Sequence, residues 1–369
     1  MSLVTTSAAE THGTSANQFF PLAVNDVRLD TAEALLVTFV VPEALKAIFR
    51  FEPGQYLAVR TNIAGAEVRR SYSICAAVQD SVLRIAIKRA SCGLFSNWAF
   101  AHLRSGTVLE VMPPAGRFGR SLSPNRSFIA FAAGSGITPV YSVIKSLLQG
   151  DPEAQFTLFY GNRTTGAIML RNELADLKDR FIDRFTLVYI LSQERQDSDL
   201  LCGRIDKSRC RELLRHWVCT ADIDTAFVSG PGSMASEVKS GLLAADFVEN
   251  QIRIERFTSG KIRQGNDTSA PADPELCHVA LILDGNEHHF QMAKRGESIL
   301  KAGLHHGIDL RYGCQGGVCA SCRAHLRSGE VEMEANYALE DYEIARGFIL
   351  TCQSYPRTDE VVIDFDKVR

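Results

Sequence analysis

The chain has 369 residues, of which 46% are hydrophobic and 22% are charged. This length predicts two or three domains, and the composition is that of globular proteins, which excludes a fibrous or wholly disordered chain. Its 40 basic and 43 acidic side chains give a net charge of −3, so the basic surplus typical of nucleic-acid-binding proteins is missing.

No apolar run approaches the roughly 18 residues that a membrane-spanning helix requires. The N-terminus is polar and has neither the basic region nor the apolar region of a signal peptide. The ten cysteines therefore indicate thiols that are kept reduced, some of them bound to a metal, rather than a disulfide framework. We expect a cytoplasmic protein that binds neither membranes nor nucleic acids.

Residues 1–17 are rich in Ser, Thr and Ala without any periodicity, and they are expected to form a disordered tail. Residues 18–123 contain short β-rich segments separated by turns, among them LLVTFVV (35–41) and LRIAIK (83–88). Regularly spaced strands of this kind predict an antiparallel β-barrel.

Apolar strands alternate with helical segments over residues 124–258. FIAFAAG (128–134) precedes a helical stretch, and FTLFYG (156–161) and TLVYIL (186–191) are each followed by another one. This alternation predicts an α/β domain in which a parallel sheet is covered by helices on both faces.

Residues 259–275 are polar and carry Gly and Pro without an apolar period, which is typical of a linker. The remaining residues, 276–369, contain two predicted strands, a short predicted helix (Glu297–His306) and a loop rich in Gly and Cys. With 10 basic and 14 acidic residues, this third domain is the acidic part of the chain.

Four cysteines of the third domain follow the spacing C-x4-C-x2-C-x29-C, at Cys314, Cys319, Cys322 and Cys352. Three cysteines on one loop and a distant fourth match the plant-type ferredoxin arrangement that binds a 2Fe–2S cluster. The alternative is a structural zinc site, but zinc sites of the ribbon type usually offer two C-x2-C pairs, and here there is one. The other six cysteines are scattered and are expected to be small buried residues.

Two stretches of the first domain carry the residue types that a flavin dinucleotide needs. Arg70-Ser71-Tyr72-Ser73 supplies a cation, an aromatic ring and hydroxyls, and Gly93-Leu94-Phe95-Ser96 precedes a predicted helix. A pyrophosphate is bound by cations and by amides at a helix N-terminus. Each tetrapeptide alone is a weak signal, and Arg70-Ser71-Tyr72-Ser73 by itself is more often an ordinary edge strand.

Two glycine turns follow strands of the second domain, and each leads into a helical segment. They are Gly134-Ser135-Gly136-Ile137-Thr138-Pro139 and Ser229-Gly230-Pro231-Gly232-Ser233-Met234. One glycine turn is usually only a turn, but two at the carboxyl ends of parallel strands favour a crevice for a dinucleotide.

In this order, the motifs resemble those of the ferredoxin–NADP reductase superfamily fused to a C-terminal plant-type ferredoxin, from about residue 19 to the end of the chain. YGNRT (160–164), SDLLCGRID (198–206) and ANYALE (335–340) are further similar to the reductase components of bacterial phenylacetyl-CoA epoxidases. The resemblance implies an antiparallel β-barrel flavin domain, an α/β nucleotide domain with a parallel sheet, and an α+β ferredoxin domain of the β-grasp type.

The resemblance also implies roles for individual residues. Arg70 would bind the FAD pyrophosphate, Tyr72 would lie against the isoalloxazine, Ser73 would face flavin N5, and Gly93 and Ser96 would donate amides to the pyrophosphate. The nicotinamide dinucleotide site would be formed by Gly134, Gly136, Thr138, Gly230, Pro231 and Met234, and the cluster would be held by Cys314, Cys319, Cys322 and Cys352.

Three more residues carry hypotheses of their own. Phe257 would shield the nicotinamide side of the flavin. Ser229 stands where the family often has Cys, and it either places the nicotinamide over flavin N5 or only hydrogen-bonds to its own backbone. Arg163 follows a strand that should end near the adenosine ribose, where a guanidinium can pair with the 2′-phosphate of NADPH. The alternative is a solvated arginine, so NADPH is favoured and NADH is possible.

The resemblance therefore predicts an oxidoreductase that passes electrons from NAD(P)H through FAD and a 2Fe–2S cluster to a separate oxygenase of the phenylacetyl-CoA epoxidase type. The alternatives are the reductase of a Rieske-type ring or steroid hydroxylase, or of a desaturase. A redox sensor would not need a nicotinamide site, and a stand-alone diaphorase would not need the ferredoxin. Acidic residues near the cluster are predicted to meet a basic patch on the oxygenase: Glu330, Glu332, Glu334, Glu340, Asp341 and Glu343.

Overall fold

The computed structural model describes residues 18–122, 126–257 and 275–367. The predicted tail (1–17) and nearly all of the predicted linker lie outside the described residues. The structure forms three main sheets, one in each of the three segments that the sequence distinguishes, and a small two-stranded ribbon in the third segment.

The first sheet is antiparallel and contains β1 (Phe20–Thr31), β2 (Ala34–Val40), β3 (Tyr56–Ile63), β4 (Ala66–Ser73), β5 (Leu83–Lys88) and β6 (Val108–Val111), with helix α1 (Leu94–His102) after β5. The strand order is β4–β3–β6–β1–β2–β5. A bridge between Ile74 and Ile85 joins the two outer strands and closes the sheet. The predicted antiparallel barrel is thus confirmed.

The second sheet is parallel and contains β7 (Ser127–Ala133), β8 (Gln155–Asn162), β9 (Phe185–Leu191), β10 (Ile223–Pro231) and β11 (Ile252–Phe257) in the order β11–β10–β7–β8–β9. The helices between these strands are α2 (Ile137–Gly150), α3 (Arg171–Arg180), α4 (Lys207–Trp217) and α5 (Gly232–Leu243). Along β7, Phe128 and Ala130 pack with α2 and α3, and Ile129 and Phe131 pack with α4 and α5. The predicted doubly covered parallel sheet is confirmed.

The barrel and helix α2 share one hydrophobic core. Buried side chains of the barrel segment lie in the same cluster as the apolar face of α2, among them Leu36, Ala86 and Phe118. Polar contacts reinforce this junction, because Ser142 on α2 donates a hydrogen bond of 2.7 Å to the carbonyl of Ala76. The first two sheets therefore form one packed unit.

Gly136 allows the turn before α2 to approach the neighbouring strand. A Cβ atom at this position would lie 2.1 Å from the carbonyl oxygen of Ser229 on β10, which is far inside van der Waals contact. Only glycine fits here without moving backbone. The glycine turn at Gly134–Gly136 therefore lies in close contact with the one at Ser229–Gly230, at one edge of the sheet.

The third sheet is mixed and contains β12 (Leu276–Leu283), β13 (Asn286–Ala293), β14 (Arg323–Ser328), β16 (Phe348–Leu350) and β18 (Glu360–Asp364), in the order β13–β12–β18–β14–β16. A small second ribbon pairs β15 (Val331–Met333) with β17 (Ser354–Pro356), and the helices are α6 (Ile299–His305) and α7 (Asp341–Ala345). The buried members of its hydrophobic cluster all come from residues 277–365.

The expectation of two strands in this domain is wrong, because the structure has seven between β12 and β18. Three of them, β15, β16 and β17, are only three residues long. Strands this short carry too few alternating positions to produce a periodic pattern. None of the described helices, in any of the three domains, is both long and apolar enough to cross a membrane.

Candidate functional site

One large cleft lies between the three sheets and has a volume of about 3730 Å³. Most of the residues that the sequence singles out line it, from all three parts of the chain: Arg70, Tyr72, Ser73, Gly93, Ser96, Gly134, Thr138, Arg163, Gly230, Pro231, Met234, Cys314, Cys319 and Cys352. Gly136, Ser229 and Cys322 do not line it. The structure thus brings the three predicted binding motifs to a single space.

The end of β4 presents a cation and an aromatic ring to the cleft. The guanidinium of Arg70 donates a hydrogen bond of 2.7 Å to the carbonyl of Arg69, and the Tyr72 ring lies 5.6 Å from the ring of Phe95. Phe95 is buried in the barrel core. The Tyr72 ring is therefore supported from behind, which suits a flat group stacked in front of it.

The turn before α1 is organised by its own hydrogen bonds. The Ser96 hydroxyl accepts from the Ala90 amide at 3.1 Å and donates to the Gly93 carbonyl at 3.2 Å. The Gly93 amide donates to the Ala90 carbonyl at 3.0 Å, so it is engaged within the turn. The first amides of α1 beyond Gly93 have no partner inside the helix, and together with Arg70 they fit an anionic pyrophosphate.

The first glycine turn of the nucleotide domain is held by buried hydroxyls. Tyr160 on β8 donates a hydrogen bond of 2.9 Å to the Gly134 carbonyl, and Thr138 donates one of 2.9 Å to the Ser135 carbonyl. Tyr160 is fully buried. The backbone at this edge of the sheet is therefore fixed before any ligand arrives, as a dinucleotide crevice requires.

Ser229 is fully buried and its hydroxyl finds no hydrogen-bond partner among the described residues. It does not line the cleft, although Gly230 and Pro231 after it do. Neither hypothesis for this residue is supported by a contact, so its role in placing the nicotinamide stays a prediction. Phe257 is described only as a backbone position, opposite Pro231 at the end of β11.

Arg163 lies just beyond β8 and lines the cleft. Its guanidinium forms an ion pair of 2.7 Å with Glu33, which is in the turn between β1 and β2, and both side chains are about half exposed. A 2′-phosphate that pairs with Arg163 would have to compete with this carboxylate. Lys88 also lines the cleft. Burial lowers the pKa of Lys88, and repulsion from Arg163 lowers it further.

Glu255 was not singled out as a site residue from the sequence. It lies on β11, in register with Ser229 on β10, and it accepts a hydrogen bond of 2.8 Å from the Ser73 hydroxyl of the barrel. Burial raises the pKa of Glu255 to about 7. The signal that could have found it is a lone carboxylate in the apolar strand IRIERF, beside the second glycine turn.

The four cysteines of the third domain form two pairs. Side-chain hydrogen bonds join Cys314 to Cys319 and Cys322 to Cys352. Among the residues that the structure describes, no three His, Cys, Asp or Glu side chains are grouped around a single ion position. A 2Fe–2S cluster takes two thiolates at each iron, whereas a zinc ion needs its ligands around one point. The paired arrangement therefore fits the cluster.

Backbone amides point at the sulfur atoms of this loop. The Cys314 amide donates to the Cys319 sulfur at 3.3 Å, and the amides of Gly316 and Val318 donate to the Cys314 sulfur at 3.3 and 3.4 Å. The hydrogen bond between the two side chains lowers the pKa of Cys319 and raises that of Cys314, so it stabilises one thiolate of the pair. A loop that stabilises negative sulfur in this way is prepared for thiolate ligation.

Comparison with family models divides the chain in the same way. Residues 24–119 match the oxidoreductase FAD-binding domain, residues 131–240 match the oxidoreductase NAD-binding domain, and residues 281–357 match the 2Fe-2S iron-sulfur cluster binding domain. The predicted cofactors FAD and a 2Fe–2S cluster, with a nicotinamide coenzyme, are thus confirmed.

Two relatives match along nearly their whole length. The chain is 41% identical over 350 residues to one of the subunits of 1,2-phenylacetyl-CoA epoxidase from Escherichia coli (strain K12), covering 94% of this chain and 98% of that protein. It is 32% identical to the ferredoxin reductase component of 3-ketosteroid-9-alpha-monooxygenase of Rhodococcus rhodochrous, covering 93% of this chain and 96% of that one.

Solved structures share the fold. Phthalate dioxygenase reductase superimposes with a TM-score of 0.61 at 22% identity, over 95% of this chain and 100% of that one. An intact type IV self-sufficient cytochrome P450 monooxygenase gives a TM-score of 0.68 at 20% identity, over 94% of this chain. This chain spans 41% of the length of that larger protein.

Replacing Cys319 with Ser should remove iron and abolish cytochrome reduction that depends on the cluster, while NADPH–ferricyanide activity through the flavin is retained. The reason is that Cys319 is predicted to supply one of four cluster thiolates, whereas ferricyanide can take electrons directly from the flavin. Iron content and both activities are measured on the purified protein. The matched control is Cys219→Ser at an exposed free thiol, and iron retained in Cys319→Ser would contradict the ligand assignment.

Glu255→Gln should change how stability depends on pH. Since the pKa of Glu255 is raised from 4.5 to about 7 in the folded chain, its proton stabilises the fold fully below about pH 4.5, and this contribution is lost as the pH rises through about 7. Thermal midpoints of the flavin-loaded protein are measured across this window. The midpoint of Glu255→Gln minus that of wild type should grow with pH, and Glu249→Gln controls for losing one surface carboxyl. A constant difference would contradict the raised pKa.

Proposed function

Because this chain belongs to the family of oxygenase reductase components that combine FAD-, NAD- and 2Fe–2S-binding domains, we propose that its electron acceptor is the oxygenase component of a phenylacetyl-CoA epoxidase. The observation that carries the proposal is the 41% identity to a component of that enzyme, over 98% of the length of that component. The cleft supports it, because flavin, nicotinamide and cysteine motifs all line one space.

When bound, the flavin accepts a hydride from the nicotinamide coenzyme and passes single electrons to the iron–sulfur cluster. The chain's own residues hold these groups in place. In this proposal Arg70 and the first amides of α1 bind the pyrophosphate of FAD, and Tyr72 packs against the ring system with Phe95 behind it. The turns at Gly134 and Gly230 let the backbone approach the coenzyme closely.

Ser73 and Glu255 hold a proton beside the reacting ring in this proposal. The Ser73 hydroxyl donates to the Glu255 carboxyl at 2.8 Å. Burial raises the pKa of that carboxyl to about 7, so it is half protonated near that pH and mostly protonated below it. A neutral pair adds no negative charge next to a ring that becomes electron-rich when it is reduced. Ser96, Gly136, Thr138, Pro231, Met234 and Phe257 keep in this proposal the roles that the resemblance implies. Gly93 shapes the turn before α1, because its amide is already bonded to the Ala90 carbonyl, and both hypotheses for Ser229 stay open.

The proposed acceptor docks on the acidic third domain. Glu330, Glu334, Glu340 and Asp341 are exposed, and Glu332 is exposed and paired with Arg357. Glu343 must be removed from this predicted surface. Its side chain is 2% exposed and lies between Arg117 of the barrel, at 2.7 Å, and Arg323, at 3.3 Å.

We also propose the domain limits 18–123, 124–258 and 276–369, with a linker at 259–275 and a tail at 1–17, and a cytoplasmic location. The location is supported by the six cysteines outside the cluster motif, because they form no disulfide and a reducing compartment keeps thiols in this state. The limits are supported by the third domain's separate hydrophobic cluster.

For the coenzyme we propose NADPH, read by Arg163. Arg163→Ala should raise the KM for NADPH about ten-fold, because a charged hydrogen bond contributes ~1.5–3 kcal/mol and exposure reduces it to the lower end. The KM for NADH should change little. Glu33→Gln is the matched variant, and its effect should be opposite. It removes the carboxylate that pairs with Arg163, so the KM for NADPH should fall. Equal changes for both coenzymes would mean that Arg163 does not contact the phosphate.

The acceptor is tested by reconstituting the purified reductase with the oxygenase component of a phenylacetyl-CoA epoxidase and, separately, of a 3-ketosteroid 9α-monooxygenase. We expect NADPH oxidation coupled to product formation with the first, with a kcat/KM at least about ten-fold higher than with the second, a difference that corresponds to 1.4 kcal/mol. The rate should fall as ionic strength rises, because exposed charges are screened within about 10 Å at 0.1 M salt.

Glu334→Gln with Glu340→Gln should reduce the rate and its salt dependence, and Glu249→Gln on the nucleotide domain is the control. Preference for the steroid oxygenase would overturn the proposed acceptor. A rate that does not depend on salt would remove the acidic docking surface and leave the acceptor unaffected.

A further inference from the structure

The hydroxyl of Tyr56 crosses from the barrel to the cysteine loop. It donates a hydrogen bond to the backbone carbonyl of Cys319, and it lies 2.9 Å from the hydroxyl of Ser321. A tyrosine hydroxyl has one proton to donate. That proton goes to the Cys319 carbonyl, while the Tyr56 oxygen also lies within hydrogen-bond distance of the Ser321 hydroxyl. One side chain of the barrel thereby contacts two residues of the cluster loop.

Tyr56 is also the cross-strand partner of the residue predicted to face the flavin. On the antiparallel pair β3–β4, Tyr56 is directly opposite Ser73, and directly opposed residues project to the same face of a sheet. Both side chains line the cleft, as does Cys319. Tyr56 therefore stands between the flavin motif and a cluster ligand.

The loop is seated closely on the same two strands. A Cβ atom at Gly313 would lie 2.6 Å from the Ser71 hydroxyl oxygen on β4, so the backbone just before Cys314 touches the barrel. Other contacts across this interface lie further from the ligands. Arg69 stacks over the Tyr312 ring at 4.2 Å, and Arg117 pairs with Glu343 at 2.7 Å.

We propose that Tyr56 is a positioning residue for electron transfer from the flavin to the iron–sulfur cluster: its hydroxyl holds Cys319 and Ser321 against the strand pair that carries Ser73. In each transfer one electron leaves the reduced flavin and one electron reduces the cluster, and no bond to Tyr56 forms or breaks. The inference rests on the chain's role as a reductase and not on which oxygenase accepts the electrons.

The test compares Tyr56→Phe with Tyr312→Phe in the full-length chain, loaded with FAD and iron. Phenylalanine keeps the ring in the cleft and removes only the hydroxyl. The control removes a hydroxyl that bonds to Glu67 at 3.4 Å across the same interface. We expect Tyr56→Phe to slow flavin-to-cluster transfer several-fold, because the rate of electron transfer falls as the distance between donor and acceptor grows. Stopped-flow absorbance after mixing with NADPH separates this step from hydride transfer.

A second readout does not depend on activity. Hydrogen–deuterium exchange is followed in peptides covering residues 314–322, and a loop released from the barrel should exchange faster. We expect faster exchange in Tyr56→Phe and wild-type exchange in Tyr312→Phe, at equal flavin and iron content. Ser321→Ala should give a smaller defect of the same kind. The double variant should match Tyr56→Phe alone, since both changes act on one hydrogen-bonded unit.

Three outcomes would overturn the proposal. One is wild-type transfer and wild-type exchange in Tyr56→Phe. Another is slower transfer with unchanged exchange in the loop. The third is an equal slowing of hydride transfer, which would assign Tyr56 to the flavin site. None of these measurements uses an oxygenase, so a wrong acceptor in the proposed function would leave them unaffected.

Discussion

The hydroxyl of Ser73 donates to the carboxyl of Glu255 at 2.8 Å, and this contact joins the barrel to the parallel sheet inside the cleft. Each partner is itself fixed by a neighbouring strand. Glu255 is in register with Ser229 on β10, and Ser73 is opposite Tyr56 on β3, whose hydroxyl reaches the cysteine loop. A single line of strand pairs and hydrogen bonds thus runs from the nucleotide turns to the cluster ligands. This line of contacts connects all three binding motifs.

The three domains are joined in two different ways. The barrel and α2 bury apolar side chains in one cluster, whereas the third domain keeps its own cluster and meets the barrel through Tyr56, through Arg69 stacked on Tyr312 and through the Arg117–Glu343 pair. Polar interfaces of this kind are typical of domains that move relative to one another. The chain therefore couples a rigid flavin and nucleotide unit to a more separable electron carrier.

Much of the fold could be predicted from the sequence, because long buried strands such as β7 and β8 show their apolar character in consecutive residues. The cysteine spacing likewise specified its chemistry, since thiolate ligands leave few alternatives. What was missed depends on contacts between distant residues. Glu255 is significant because β11 packs near the end of β4, and Tyr56 because β3 packs against the cysteine loop. In the sequence, Glu343 resembles a surface acid, and only the folded structure pairs it with Arg117 of another domain. Ser229 shows the reverse case, a motif position whose hydroxyl is buried away from the cleft.

The core shared by the barrel and α2 also determines which parts of the protein lose their structure together. Two sheets that share one core should lose their structure together, whereas a domain with a separate core can unfold by itself. A chain whose third domain has lost its iron would still collect hydride from the coenzyme and hold a reduced flavin with no cluster to receive the electrons. Molecular oxygen is then the remaining acceptor, and its reduction yields superoxide or hydrogen peroxide. Damage confined to the last quarter of the chain would convert a carrier of electrons into a source of oxidative stress that consumes reduced coenzyme.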